Sequence, residues 1–134
     1  MKFKRILLVD DDQITNFLNE NLLRESNITE DIQIANDGQE ALDYVKKYCL
    51  ENNISDQLCC DLILLDLNMP VMDGFEFLEK FNELKLKENI SIILLTTSSN
   101  ERDLERAKNF NITGYINKPL TETKILNAIT GKLV

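Results

Sequence analysis

Apolar residues along this chain of 134 residues fall into two patterns. Short unbroken runs occur at Arg5–Val9, Ile32–Ala35, Leu62–Leu65, Ile90–Leu95 and Gly114–Ile116. The central runs do not alternate with polar residues, which is how parallel strands covered on both faces read. Between the runs lie segments of helical period. In the first, Ile14, Phe17, Leu18 and Leu22 define one apolar face, expected to point to the core. The second starts at Asp37, with Glu40 three residues on as in a capping box, and continues through Ala41, Leu42 and Val45. The third starts at Asp73, with Glu76 in the same relation, and carries Phe77, Leu78 and Phe81. The fourth follows the cap signals Ser98-Ser99-Asn100 and carries Leu104, Ala107 and Phe110. The fifth follows Pro119, with Thr121 as cap, and shows Ile125, Leu126, Ile129 and Leu133 on one side.

Strand and helix therefore alternate five times, which predicts a five-stranded parallel α/β sandwich. The stretch Tyr48–Cys60 is the one irregular region, expected to be a helix end and a longer loop before the third strand. No internal repeat, low-complexity segment or linker interrupts the pattern, so residues 1–134 read as a single domain.

Composition narrows the function. A hydrophobic share of 43% supports a packed core. A net charge of −8 without a basic stripe argues against direct nucleic-acid binding. No apolar run reaches membrane-span length, and Ile6–Val9 is too short for a signal sequence, so a cytoplasmic protein is expected. The three cysteines, Cys49, Cys59 and Cys60, form no CxxC, and the adjacent pair is poorly placed to bridge, so free thiols are expected. The chain has no histidine, which excludes a Ser-His-Asp triad, a His-ligated zinc and a phosphohistidine on this chain.

Each apolar run ends in polar chemistry. The first delivers Asp10, Asp11 and Asp12, the third Asp66, the fourth Thr96 and the last Lys118. Taken singly, Asp12 reads as a helix cap, Thr96 as a turn residue and Lys118-Pro119 as an exposed turn. Together they occupy the carboxyl ends of parallel strands, where open α/β sheets build their crevice. Clustered carboxylates suit magnesium, which takes oxygen ligands. A lysine and a hydroxyl add donors for an anion. Carboxylates for a metal beside donors for an anion describe phosphoryl transfer, with Asp66 as the isolated acid able to form an acyl phosphate.

At this point the ordered set "ILLVDDD", "DLILLDLNMPVMDG", "IILLTTS" and "GYINKP" resembles the receiver domain of two-component response regulators, over essentially the whole chain. The resemblance implies a flavodoxin-like (βα)5 three-layer sandwich with strand order 2-1-3-4-5. It implies phosphorylation of Asp66 by a sensor histidine kinase or phosphotransfer protein, with no enzymatic activity beyond the chain's own phosphorylation and dephosphorylation. Magnesium (Mg2+) would be held by Asp11, Asp66 and the main-chain carbonyl of Asn68, with Asp10 bonding a metal-bound water. Lys118 and Thr96 would contact the phosphoryl oxygens, and Thr96 with Tyr115 would form the switch. Asn68 and Ser98 would flank the attacking water, and a short Ser98 implies slow hydrolysis. The face from Asn100 to Val134 would meet a downstream protein partner or a second copy, as a homodimer formed on phosphorylation. The Lys118-Pro119 peptide would be cis. With no output domain after Val134, the chain resembles stand-alone, chemotaxis-regulator-like receivers, and its segment before the third strand is similar to that of receivers paired with bacterial phytochromes.

Three rivals remain in view. A haloacid-dehalogenase-type phosphatase would carry D-x-D on its nucleophile strand, whereas Asp66-Leu67-Asn68 lacks the second acid. A degenerate receiver that only docks would lack part of the pocket. A flavin-binding protein would need a phosphate-cradling loop where this chain has Asp10-Asp11-Asp12-Gln13.

Overall fold

The structure, a computed structural model, describes residues 3–52, 58–97 and 101–130. Strands and helices alternate in the order β1 (Ile6–Val9), α1 (Gln13–Glu25), β2 (Ile32–Ala35), α2 (Gly38–Tyr48), β3 (Leu62–Asp66), α3 (Gly74–Phe81), β4 (Ser91–Thr96), α4 (Glu101–Ala107), β5 (Gly114–Asn117) and α5 (Glu122–Thr130). The strands form one sheet of order β2-β1-β3-β4-β5, and every pairing is parallel. The expected flavodoxin-like sandwich is the observed one.

The unbroken apolar runs follow from the layers. Within each central strand, alternate residues enter different cores. Leu7, Val9, Ile63, Leu65, Ile92 and Leu94 pack on the side of α2, α3 and α4, while Ile6, Leu8, Leu62, Leu64, Ile93 and Leu95 pack on the side of α1 and α5. Both faces are dry, so neither set of positions can be polar.

Helix starts follow their caps. Asp73 accepts from Glu76 N–H, and Glu76 reaches back to the Asp73 N–H, which completes the capping box of α3. At α2 the box is only half made. Asp37 caps Glu40 N–H, but the Glu40 carboxylate accepts from the backbone and side-chain N–H of Asn36 instead. Thr121 caps α5 through Lys124 N–H. The expected cap signals Ser98-Ser99-Asn100, and Leu133, lie outside the described residues.

Two expectations are corrected. First, α1 does not bury most of its apolar stripe: Ile14, Phe17 and Leu18 are exposed, Leu22 is half-buried against the core, and Asn16, Asn19 and Leu23 face inward. The reason is polar. Asn16 Nδ2 donates to the Asp10 carbonyl at 2.9 Å, which fixes the helix rotation against the end of β1. Second, the cysteines are not all free thiols. Cys49 and Cys59 are joined by a disulfide with their Cα atoms 5.0 Å apart, and only Cys60 is free. Cys49 caps the C-terminus of α2 and Cys59 precedes β3. Parallel winding brings those two points to the same edge of the sheet, a proximity invisible in the spacing. Around them, Leu50 bridges Leu86 antiparallel, giving the irregular region a short pairing of its own.

Candidate functional site

The strand register builds the pocket. Val9 pairs with Leu65, so Asp10 leaves β1 in step with Asp66 on β3. Asp66 pairs with Leu95, so Thr96 stands one residue beyond it on β4. Thr96 pairs with Asn117, so Lys118 stands one residue beyond it, just past the end of β5, and Lys118 N–H donates to the Thr96 carbonyl at 2.7 Å. Asp10, Asp66, Thr96 and Lys118 therefore meet at the carboxyl edge of the four adjacent strands.

Asp10, Asp11 and Asp66 each offer a carboxylate oxygen within 4.8 Å of the others. Asp10 and Asp66 are buried, Asp66 at 4% exposure, and Asp11 is exposed. Lys118 Nζ lies 2.9 Å from Asp10 Oδ2 and 3.3 Å from Asp66 Oδ1. Burial, and after it the charge of Asp10, pushes the Asp66 carboxyl up from its ordinary value, against the pull of Lys118. Burial opposes the charge on Lys118, but the Asp10 hydrogen bond and the two carboxylates outweigh it and raise its pKa. Asp12 takes the structural role expected of it. It caps α1 through Ile14 N–H and accepts from the Thr15 hydroxyl at 2.6 Å.

The set fits a hard divalent cation. Three carboxylates converge on one point, the Lys118 ammonium does not match their charge, and burial with the charge of Asp10 raises the pKa of the buried Asp66. Asn68 follows on an exposed turn, and its backbone N–H donates to the Asp66 carboxylate. Thr96 is buried. Tyr115 is half-exposed on β5 and borders a cavity of about 720 Å³. Leu104, Ala107 and Lys108 of α4 also line that cavity. Lys118-Pro119 is cis, as expected. Ser98 lies outside the described residues.

Sequence reasoning missed what holds the loop after Asp66. Gly74 opens α3 so close to that strand end that a Cβ would stand 2.8 Å from the Asp66 carbonyl and from Leu67 Cα. Gly38 opens α2 against the far side of the loop, where a Cβ would stand 2.6 Å from the Met72 carbonyl. Between them Val71 takes the left-handed region with φ 68°, a strained position for a β-branched residue. The signal was present as Asp37-Gly38 and Asp73-Gly74, a cap followed by glycine, but spacing alone does not show a close approach.

Also unforeseen is a groove of about 550 Å³ that runs from Thr15, Leu18 and Leu22 on α1 to Lys118, Pro119 and Leu120. It connects the outward apolar face of α1 to the pocket lysine.

Comparison with known proteins agrees with this geometry. The family model of the response regulator receiver domain matches residues 6–130. The chemotaxis protein CheY of Halobacterium salinarum is 29% identical over 130 residues, 97% of each chain. The solved structure of a two-component response regulator from Cytophaga hutchinsonii superposes with a TM-score of 0.82 at 29% identity, covering 98% of this chain and 97% of that one. The bacteriophytochrome response regulator RtBRR superposes with a TM-score of 0.77 at 28% identity, covering 98% and 78%.

Proposed function

The chain belongs to the response regulator receiver domain family of two-component signalling, and from that premise we propose that Asp66 accepts a phosphoryl group from a histidine kinase or phosphotransfer protein and signals the event to a protein partner. The observation that carries this reading is the buried Asp66 carboxylate, 3.3 Å from Lys118 and inside a cluster of three acids. An Asp66 oxygen attacks phosphorus, the O–P bond forms, the N–P bond to the donor imidazole breaks, and an acyl phosphate results. Asp10, Asp11, Asp66 and the Asn68 carbonyl would hold magnesium, whose charge would offset that of the phosphoryl oxygens. Lys118 holds the resting carboxylates together and can turn its ammonium to the new anion. Asp10 keeps that ammonium anchored at 2.9 Å.

The donor histidine lies outside these 134 residues, which contain none. A protein donor reaching Lys118 would cover the groove beside it and the exposed Leu18. That supports α1 as the side on which the donor docks. Thr96 and Tyr115 support the switch: both lie on the sheet face that α4 covers, and the cavity beside Tyr115 is roomy enough to take an aromatic ring. The face of α4, β5 and α5 is then where a downstream partner or a second copy reads the phosphate. A cytoplasmic location follows from the kinase partnership. Among the described residues, no helix is long and apolar enough to cross a membrane.

Incubation with acetyl phosphate and magnesium tests the assignment. Intact mass should show one phosphoryl adduct, absent in Asp66→Asn. An adduct that survives the substitution would overturn it.

A further inference from the structure

We propose that Cys49 and Cys59 form a reversible dithiol–disulfide site that exchanges two electrons with a cellular thiol–disulfide couple such as glutathione. Their Cα atoms are 5.0 Å apart, inside the range a disulfide requires. That proximity does not depend on the sulfur–sulfur bond. Cys49 N–H donates to the Val45 carbonyl at 2.8 Å, and the Cys49 carbonyl accepts from Lys87 N–H at 3.0 Å. On the other side, the Cys59 carbonyl accepts from Arg5 Nη1 at 3.2 Å, and Arg5 is itself ion-paired to Asp31. The preceding carbonyl, of Leu58, accepts from the Tyr44 hydroxyl. Both backbones are therefore pinned by bonds that reduction leaves intact, and the two thiols remain poised to close again.

Burial sets the direction of attack. Cys49 is 1% exposed, whereas Cys59 is partly exposed. An external thiolate reaches the Cys59 sulfur, forms a mixed disulfide with it and displaces the Cys49 thiolate, which takes a proton. A second external thiol then attacks the external sulfur, frees the Cys59 thiol and departs as the oxidised couple. Two electrons and two protons enter the chain, and the oxidised couple reverses the sequence. Cys60 does not compete. It is buried, and burial pushes its thiol up to about 12, so almost none is thiolate. The site stands at the amino edge of β3, with Asp66 at the carboxyl edge, so this input is separate from phosphorylation. In a reducing compartment, the disulfides that do form are usually transient and serve redox sensing or catalysis.

The test equilibrates the full chain in glutathione buffers from fully reduced to fully oxidised, approached from both directions. Acid quenching, denaturation and alkylation with N-ethylmaleimide follow, with labels located by peptide mass. The expected result is that Cys49 and Cys59 lose and gain label together in one transition, at the same buffer ratio from either side. Cys60 is labelled at every ratio. Cys60→Ser keeps the transition and Cys49→Ser removes it. The proposal is overturned by label on all three cysteines in oxidised buffer, by a bond that reduces only under denaturant, or by a Cys59–Cys60 or intermolecular pairing. A lasting glutathione adduct on Cys59 in place of the internal bond would overturn it equally.

Discussion

Lys118 sets the resting charge of the pocket. Its ammonium stands between two buried carboxylates that would otherwise face each other, and burial already pushes the Asp66 carboxyl above its ordinary value. Breaking a buried pair by removing one partner costs about 3 kcal/mol or more. Lys118→Met should therefore lower the thermal midpoint at neutral pH. Excess magnesium should raise the midpoint of the natural chain, raise that of Lys118→Met further, and leave Asp11→Ala unmoved, as scanning calorimetry would show. Equal shifts in all three would remove the metal assignment. A second pair offers a pH test. The Arg5 hydrogen bond, reinforced by its charge against the cost of burial, holds the Asp31 carboxyl below its ordinary 3.8. A lowered folded pKa means stability that is present above the unfolded value and lost as pH falls through the folded one. Asp31→Asn should thus unfold at lower temperature than the natural chain at neutral pH, and the gap should narrow in acid below about pH 4. A gap that stays constant with pH would assign the loss to packing. At this scale the acids, the threonine and the lysine were legible because each ends an apolar run. Gly74 and the Cys49–Cys59 pair were not, because contact across the fold leaves no local pattern.

Among the elements, α1 carries the lesson. Its helical period was readable, and the direction of its stripe was not. A contiguous set of Ile14, Phe17, Leu18 and Leu22 describes a core-facing helix as well as one that offers the set to another protein. What decides is Asn16, whose amide is committed to the Asp10 carbonyl. The exposed stripe then has a use only where a partner covers it. Phe17→Glu should leave the natural fold and the acetyl phosphate reaction unchanged, because Phe17 is exposed and no lining residue of the groove. It should slow transfer from a phosphorylated histidine protein by roughly tenfold or more, the effect of losing one well-packed anchor. Equal slowing with both donors would place the damage in the pocket instead of the docking face. Helices α2 and α3 were legible for the opposite reason, whereas α4 ends at Ala107 and leaves the expected Phe110 beyond it. Ala41, Leu42 and Val45, and likewise Phe77, Leu78 and Phe81, are buried where their period put them, since nothing polar competes for those faces.

Across the whole molecule, five alternations sufficed to read the sandwich, because parallel strands between two helical layers must be apolar on both faces. The strand order itself came with the resemblance, since periodicity says nothing about which strands are neighbours. That order places β1, β3 and β4 between two partners each and leaves β2 and β5 at the edges. Opening an edge strand breaks one ladder, whereas opening an inner strand breaks two and exposes both cores. Amide exchange should accordingly be slowest in Leu62–Leu65 and Ile92–Leu95 and faster by orders of magnitude in Tyr115 and Ile116. Uniform protection across the sheet would show that it opens only as one unit. Slow exchange in β3 would make Asp66 a stiff anvil, while Tyr115 would belong to a margin that yields for less work. The same ordering of strands that builds the pocket would then grade its surroundings in compliance, with Asp66 on a fixed point and Tyr115 on one of the two softer edges.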